Sequence, residues 1–298
     1  MGYVPSEAAR SLVSKRSATI GVAIADFRDP FYTKFIPGVE EVAITSYHDL
    51  FVASFAQDHQ RERKLFEAFF EKRVAGIIVA GSLVKDAYLS LENHSIPAVL
   101  VNRPSYPYSV SVDQFLGAQK AVNHLISLGH RRIAYVHQGL HSETAIDRLK
   151  GFRASLPDHG FSIEQNLIVQ GEGVTGSEEK AVSWLLMLPE RPTAIFCFND
   201  MTAIGIMNTL QQRGFSIPRD FSVVGFDDLD IAAYCHPRLT TVQQPVYQLG
   251  YRATKMLFQR IQGNNDLQLE VIEPGLIVRD STAPVGVPVG DVLSLSKG

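Results

Sequence analysis

Residues 26–32, Asp-Phe-Arg-Asp-Pro-Phe-Tyr, place two carboxylates, a guanidinium and three aromatic rings directly after an apolar run, Thr-Ile-Gly-Val-Ala-Ile-Ala at 19–25. The same arrangement recurs along the chain. Asn102 and Arg103 close the run at 97–102, and Asp113 closes Ser-Val-Asp. Asn199 and Asp200 end Phe-Cys-Phe-Asn-Asp, which also holds Phe196, and Asp227 and Asp228 end Gly-Phe-Asp-Asp. Arg148 lies in a helical segment that opens after the run at 132–138. Asp and Asn pair with adjacent hydroxyls, Arg offers a planar donor fork, and aromatic faces cover the apolar side of a sugar ring. The set suits a polyol ligand. The alternative at each position is that the Asp or Asn caps the helix that follows.

Other chemistries find little footing. There is no G-x-S-x-G, no HExxH and no P-loop lysine motif, and the nine histidines show no metal-ligand spacing. The expectation is therefore no enzyme, no cofactor and no metal. His130, beside a helix end at Gly129, reads as a capping or packing residue, and Asp200 reads as a cap for a helix starting at Met201. Gly171–Gly176, Gly-Glu-Gly-Val-Thr-Gly, matches a dinucleotide fingerprint. It comes late in the chain, and Asp200, the acidic residue at the end of the next strand, lies further on than the roughly 20 positions expected, so the stretch reads as a loop.

These residues need elements to hold them. Apolar runs at 19–25, 50–55, 75–81, 97–102, 132–138, 167–170, 193–199 and 222–228 are continuous, not alternating, as in parallel strands buried on both faces. Amphipathic segments lie between them. One begins at Asp58, a predicted N-cap, and carries Leu65, Phe66, Phe69 and Phe70 on one stripe. Another runs from Pro245 to Gly263, and Trp184 sits in a third, where it reads as core. The alternation restarts near Gly129-His130-Arg131-Arg132. This predicts an α/β protein of two similar doubly wound parallel-sheet lobes with a cleft between them, ligand groups lying beyond the strands' carboxyl ends. A length of 298 residues suits two lobes.

Net charge is −3, so any nucleic-acid contact must be local; Arg10, Lys15 and Arg16 against Glu7 form a small basic island. Cys197 and Cys235 give no disulfide framework. With no apolar signal core and no membrane-length run, a cytoplasmic protein with no membrane partner is expected.

Several stretches resemble the LacI/GalR family of bacterial transcriptional repressors: GHRRIAYVHQ, RLKGFRASL, the long block from PTAIFCFND to GFDDLDIA, HPRLTTVQQPVYQLG and LIVRDST, in family order. The resemblance covers about residues 3–282 and implies the periplasmic-binding-protein-like type I fold. It further implies a homodimer that binds operator DNA and a small-molecule effector, most simply a sugar. The effector set expected is Phe27, Asp29, Phe31, Asn102, Arg103, Asp113, Arg148, Phe196, Asn199 and Asp227. GYVPSEAARSL is similar to the family's hinge helix, which pairs with its twin in the minor groove. By position Leu12 is the wedge residue, flanked by Ala9 and Arg10. A helix of about eight residues does not persist alone, so DNA and the twin would fold it. The family's headpiece does not precede this hinge, which implies weak operator binding by this chain alone. Gln114 stands where the family usually has Asn. The expected organisation is hinge and linker at 1–17, a first lobe from 18–131 with 243–267, a second from 132–242 with 268–283, and a tail at 284–298. A free-standing solute receptor of the same fold is the alternative.

Overall fold

The continuous apolar runs become strands. In a computed structural model of the chain, residues 18–83, 95–171, 178–266 and 268–286 are described. The elements begin β1 (Thr19–Ile24), α1 (Phe31–Thr45), β2 (Asp49–Ser54), α2 (His59–Glu71), β3 (Ile77–Ala80), β4 (Ala98–Val101) and β5 (Ser109–Val112). They continue with α3 (Gln114–Ser127), β6 (Ile133–His137), α4 (Glu143–Ser155), β7 (Ile168–Gln170), α5 (Glu178–Met187), β8 (Ala194–Cys197) and α6 (Asp200–Gln212). The last are β9 (Ser222–Asp227), α7 (Ile231–Tyr234), β10 (Thr240–Gln243), α8 (Val246–Ile261), β11 (Glu270–Ile272) and β12 (Gly275–Ile277).

Two units result, one from Met1–Val112 with Pro245–Ile272, the other from Asp113–Gln244 with Glu273–Gly298. Unit 1 holds a sheet in the order β11-β5-β4-β3-β1-β2, parallel throughout. Unit 2 holds β12-β10-β9-β8-β6-β7, parallel except for β12 against β10. In each sheet the chain order reverses beside the first strand, β1 or β6, which is where doubly wound sheets take ligands at their carboxyl edge.

The boundaries differ from the expected 131 and 267. α3 buries Ala118, Ala121, Val122 and Leu125 against Ile133, Tyr135, Phe152, Phe196 and Phe226, all in unit 2. The apolar stripe of a helix does not say which sheet it will cover, so the sequence restart placed α3 one lobe too early. β11 likewise pairs with β5 at the edge of unit 1, not in the second lobe.

Helix contacts are close where glycines allow it. A Cβ on Gly38 of α1 would lie 2.1 Å from Tyr247 O, and one on Gly250 of α8 would lie 2.3 Å from Phe35 O. Asp58 caps α2 as expected, accepting the Gln60 and Arg61 N–H groups at 2.8 and 2.9 Å. Trp184 differs from its expectation: it is 51% exposed, with its indole N–H donating to Asn166 O. α5 buries Ala181, Val182 and Leu185, which leaves Trp184 on the outward face. Among the described residues no helix is long and apolar enough to cross a membrane.

Candidate functional site

At the carboxyl edge of unit 1, Phe27 is 60% exposed and Asp29 accepts the Phe31 N–H at 2.9 Å, opening α1. Phe31 is buried, edge-on to Tyr32 and stacked on Phe35, so it packs α1 onto the sheet and offers no open ring face. Asp26 forms a double hydrogen bond with Arg28, whose guanidinium holds the Asp26 carboxyl below its usual range. Asn102, at a left-handed φ of 56°, accepts the Val112 N–H at 3.0 Å. Arg103 is buried and donates to Ser82 O, while the Ser82 hydroxyl donates to the buried Glu62 carboxylate at 2.5 Å. The ends of β3 and β4 thus share one polar cluster, of which Glu62 and Ser82 had no signature in the sequence. Glu62 sits in the helix opened by Asp58, where a charge reads as solvent-facing.

Unit 2 holds the denser arrangement. The Arg148 guanidinium lies 3.6 Å from the Phe226 ring centre and 4.5 Å from that of Phe198. Two aromatic faces fix its plane and favour its charge. Its Nη1 donates to Phe198 O and its Nε to Gln114 Oε1 at 2.8 Å, and its Nη2 is 3.5 Å from Asp227 Oδ1. Arg148 and Asp227, 4% and 5% exposed, form a buried ion pair at the edge of the sheet. Asp227 takes φ 116° and Asp228 φ 55°, backbone conformations that cost energy for residues with a Cβ and that cluster at ligand sites.

Three expected contacts take other places. Phe196 is fully buried in the core, stacked on Tyr135 and tilted against Phe226. It lies within β8, where side chains pack against helices, and Phe198, just past the strand end, meets Arg148 instead. Asn199 caps α6, accepting the Thr202 N–H at 2.9 Å. Asp200, expected as that cap, is fully buried and accepts from the Leu229 N–H and the Thr241 hydroxyl. Burial pushes its carboxyl up. Asp113 accepts the Leu116 N–H and caps α3. Ala9, Arg10, Leu12 and Gly171–Gly176 beyond its first residue lie outside the described residues.

The periplasmic binding protein-like domain family matches residues 122–282. The HTH-type transcriptional repressor PurR of Photobacterium profundum is 31% identical, over 94% of this chain and 86% of its own. The chain belongs to the LacI/GalR family of transcriptional repressors. Among solved structures of similar fold, a transcriptional regulator CelR–cellobiose complex is 25% identical with a TM-score of 0.83, covering 93% of this chain and 91% of that one. A LacI family regulator from Enterococcus faecium with bound ribose is 27% identical with a TM-score of 0.81, covering 90% and 99%.

Within this LacI-family chain, the residues around Arg148 and Asp227 that sequence reasoning did not place there are neutral: Gln114, Gln244 and Phe198. Gln244 donates to Asp227 Oδ1 at 2.6 Å and accepts from Gln114 Nε2 at 3.0 Å. A Gln has no signature beyond its polarity. The one available signal was position, since both lie directly beside strand ends.

His130 does pack, as expected: Nδ1 meets Thr193 Oγ1 at 2.9 Å, and Nε2 meets Ser222 Oγ at 2.9 Å and Ala283 O at 3.1 Å. Burial lowers its pKa, the Ala283 carbonyl raising it in part, and burial lowers those of His124 and His137 too. A depressed folded pKa means the unfolded chain takes up the proton first. The stability from neutral His130 is therefore complete above the ordinary value near 6.5 and is lost as pH falls below it. Between pH 7.5 and 5.5 this costs at most about 1.4 kcal/mol. Urea unfolding at both pH values should show a smaller acid loss in His130→Gln than in the wild type; an equal loss removes His130 as the source.

Proposed function

We propose that this chain is the effector-binding and dimerisation core of a DNA-binding repressor. A small polyhydroxylated ligand is held at the strand ends of unit 2, and its occupancy governs operator binding through the hinge at residues 1–17. The observation that carries the reading is the Arg148–Asp227 pair, a charged fork and a carboxylate held beside Phe198 and Phe226 at the carboxyl edge of a doubly wound sheet. Donor fork, acceptor and aromatic face are what a sugar's hydroxyls and apolar face require. The ribose and cellobiose named for two regulators of similar fold support the same ligand class. Such a ligand shifts the protein only by its difference in affinity for two states.

A thermal-shift screen of pentoses, disaccharides, purine bases and NAD tests this, since a ligand at 100 times its Kd stabilises by about 2.7 kcal/mol. Stabilisation by a sugar at micromolar concentration is expected. Stabilisation by NAD alone, or by no sugar, contradicts it. Sedimentation equilibrium then separates the proposed homodimer from a monomeric solute receptor.

A further inference from the structure

We propose that Gln114 and Gln244 form a positioning pair through which the state of Arg148 and Asp227 reaches two of the three points where the chain passes between its units. The inference rests on the reading of Arg148 and Asp227 as effector contacts.

Gln114 is the second residue of unit 2, and Gln244 is the last before the chain returns to unit 1. Both side chains are buried. Their hydrogen bonds run in one sense from cation to anion. Arg148 Nε donates to Gln114 Oε1 at 2.8 Å, Gln114 Nε2 to Gln244 Oε1 at 3.0 Å, and Gln244 Nε2 to Asp227 Oδ1 at 2.6 Å. The direct Arg148–Asp227 approach, at 3.5 Å, is longer than a good hydrogen bond. The two amides thus link the two charges, and dipoles aligned in this way strengthen one another.

A ligand that draws on Arg148 or Asp227 takes a partner from one amide. A buried amide left with an unmet atom is costly, so the pair must shift. The backbone beside each glutamine is itself held. Beside Gln114, Asp113 receives the Leu116 N–H through its carboxylate and the Gly117 N–H through its carbonyl. Gln244 donates its own N–H to Asp227 O at 3.4 Å. A second path joins the same parts: a Cβ on Gly117 would lie 2.7 Å from Phe226, the ring on which Arg148 rests. The start of α3 and the effector guanidinium therefore share one support.

Hydrogen exchange on the full chain tests the pair without any ligand. Arg148→Met should speed exchange at least fivefold in peptides spanning 113–117 and 241–246, while 178–187 in α5 stays at the wild-type rate. In a Gln114→Met/Gln244→Met background, adding Arg148→Met should change those segments no further. Wild-type rates at either segment in Arg148→Met, or the same increment in the doubly substituted background, overturn the proposal. If exchange in α5 also rises, the whole fold has loosened. Arg148→Lys, which keeps the charge but has no Nε to reach Gln114, is then judged by the same criteria. The absence of sugar binding would remove the effector reading and leave these rates as they stand; unchanged rates with sugar binding intact remove only the pair's role.

Discussion

Replacing Arg148 with alanine should weaken effector binding at least tenfold and lower the unfolding free energy by about 3–5 kcal/mol, the range for breaking a buried ion pair. The binding loss reflects a charged hydrogen bond, worth about 1.5–3 kcal/mol. The stability loss has a separate origin. Without the guanidinium, Asp227 stays buried with its cation gone, Gln114 Oε1 loses its donor, and Phe226 and Phe198 lose the group packed between them. These effects share partners and will not add. Urea unfolding and titration calorimetry read the two losses independently. Unchanged affinity in a folded variant takes Arg148 out of the effector site; unchanged stability refutes the buried-pair account.

Gly151→Ala should destabilise by about 2 kcal/mol, although alanine is the better helix former by about 1 kcal/mol. A Cβ there would lie 2.3 Å from Phe115 O and 2.8 Å from the Ala118 Cβ. Backbone on α3 cannot move aside as a flexible side chain can, so α4 must shift as a body. Arg148 is on α4, one turn before Gly151, and its bond to Gln114 on α3 depends on that spacing. The variant should therefore lose effector affinity as well, though it changes no polar group. Chemical denaturation and the same calorimetric titration check both outcomes; a fully stable variant would mean the two helices are not held at this distance.

Part of this was legible in the sequence. Strands buried on both faces announce themselves as unbroken apolar runs, and eight of them stood at or within a residue or two of their structural positions. β5, β10, β11 and β12 did not: each is three or four residues long, and Ser-Val-Ser-Val, Thr-Thr-Val-Gln or Glu-Val-Ile carries no run to read. The site divided along chemical lines. Arg148 and Asp227 were expected from the stretches RLKGFRASL and GFDD, but that they pair with one another in the fold was not legible from either. Phe196 was misjudged because two aromatics in Phe-Cys-Phe look alike until the end of β8, at Cys197, separates core from edge. Asn199 took the cap expected of Asp200 because either can cap a helix, and only tertiary contact to Leu229 and Thr241 turns Asp200 inward.

The chain passes between its units three times, after residues 112, 244 and 272. During synthesis, unit 1 exposes the face of α1 that packs on α8 until residues 246–261 emerge, whereas the strands β6 to β10 are by then already made. The unit begun first is also the first to be closed, at residue 272, while the other still awaits β12, the edge strand that pairs with β10. A protease cutting once at any junction leaves both units still joined through the remaining strands of chain, so neither can be shed by a single nick.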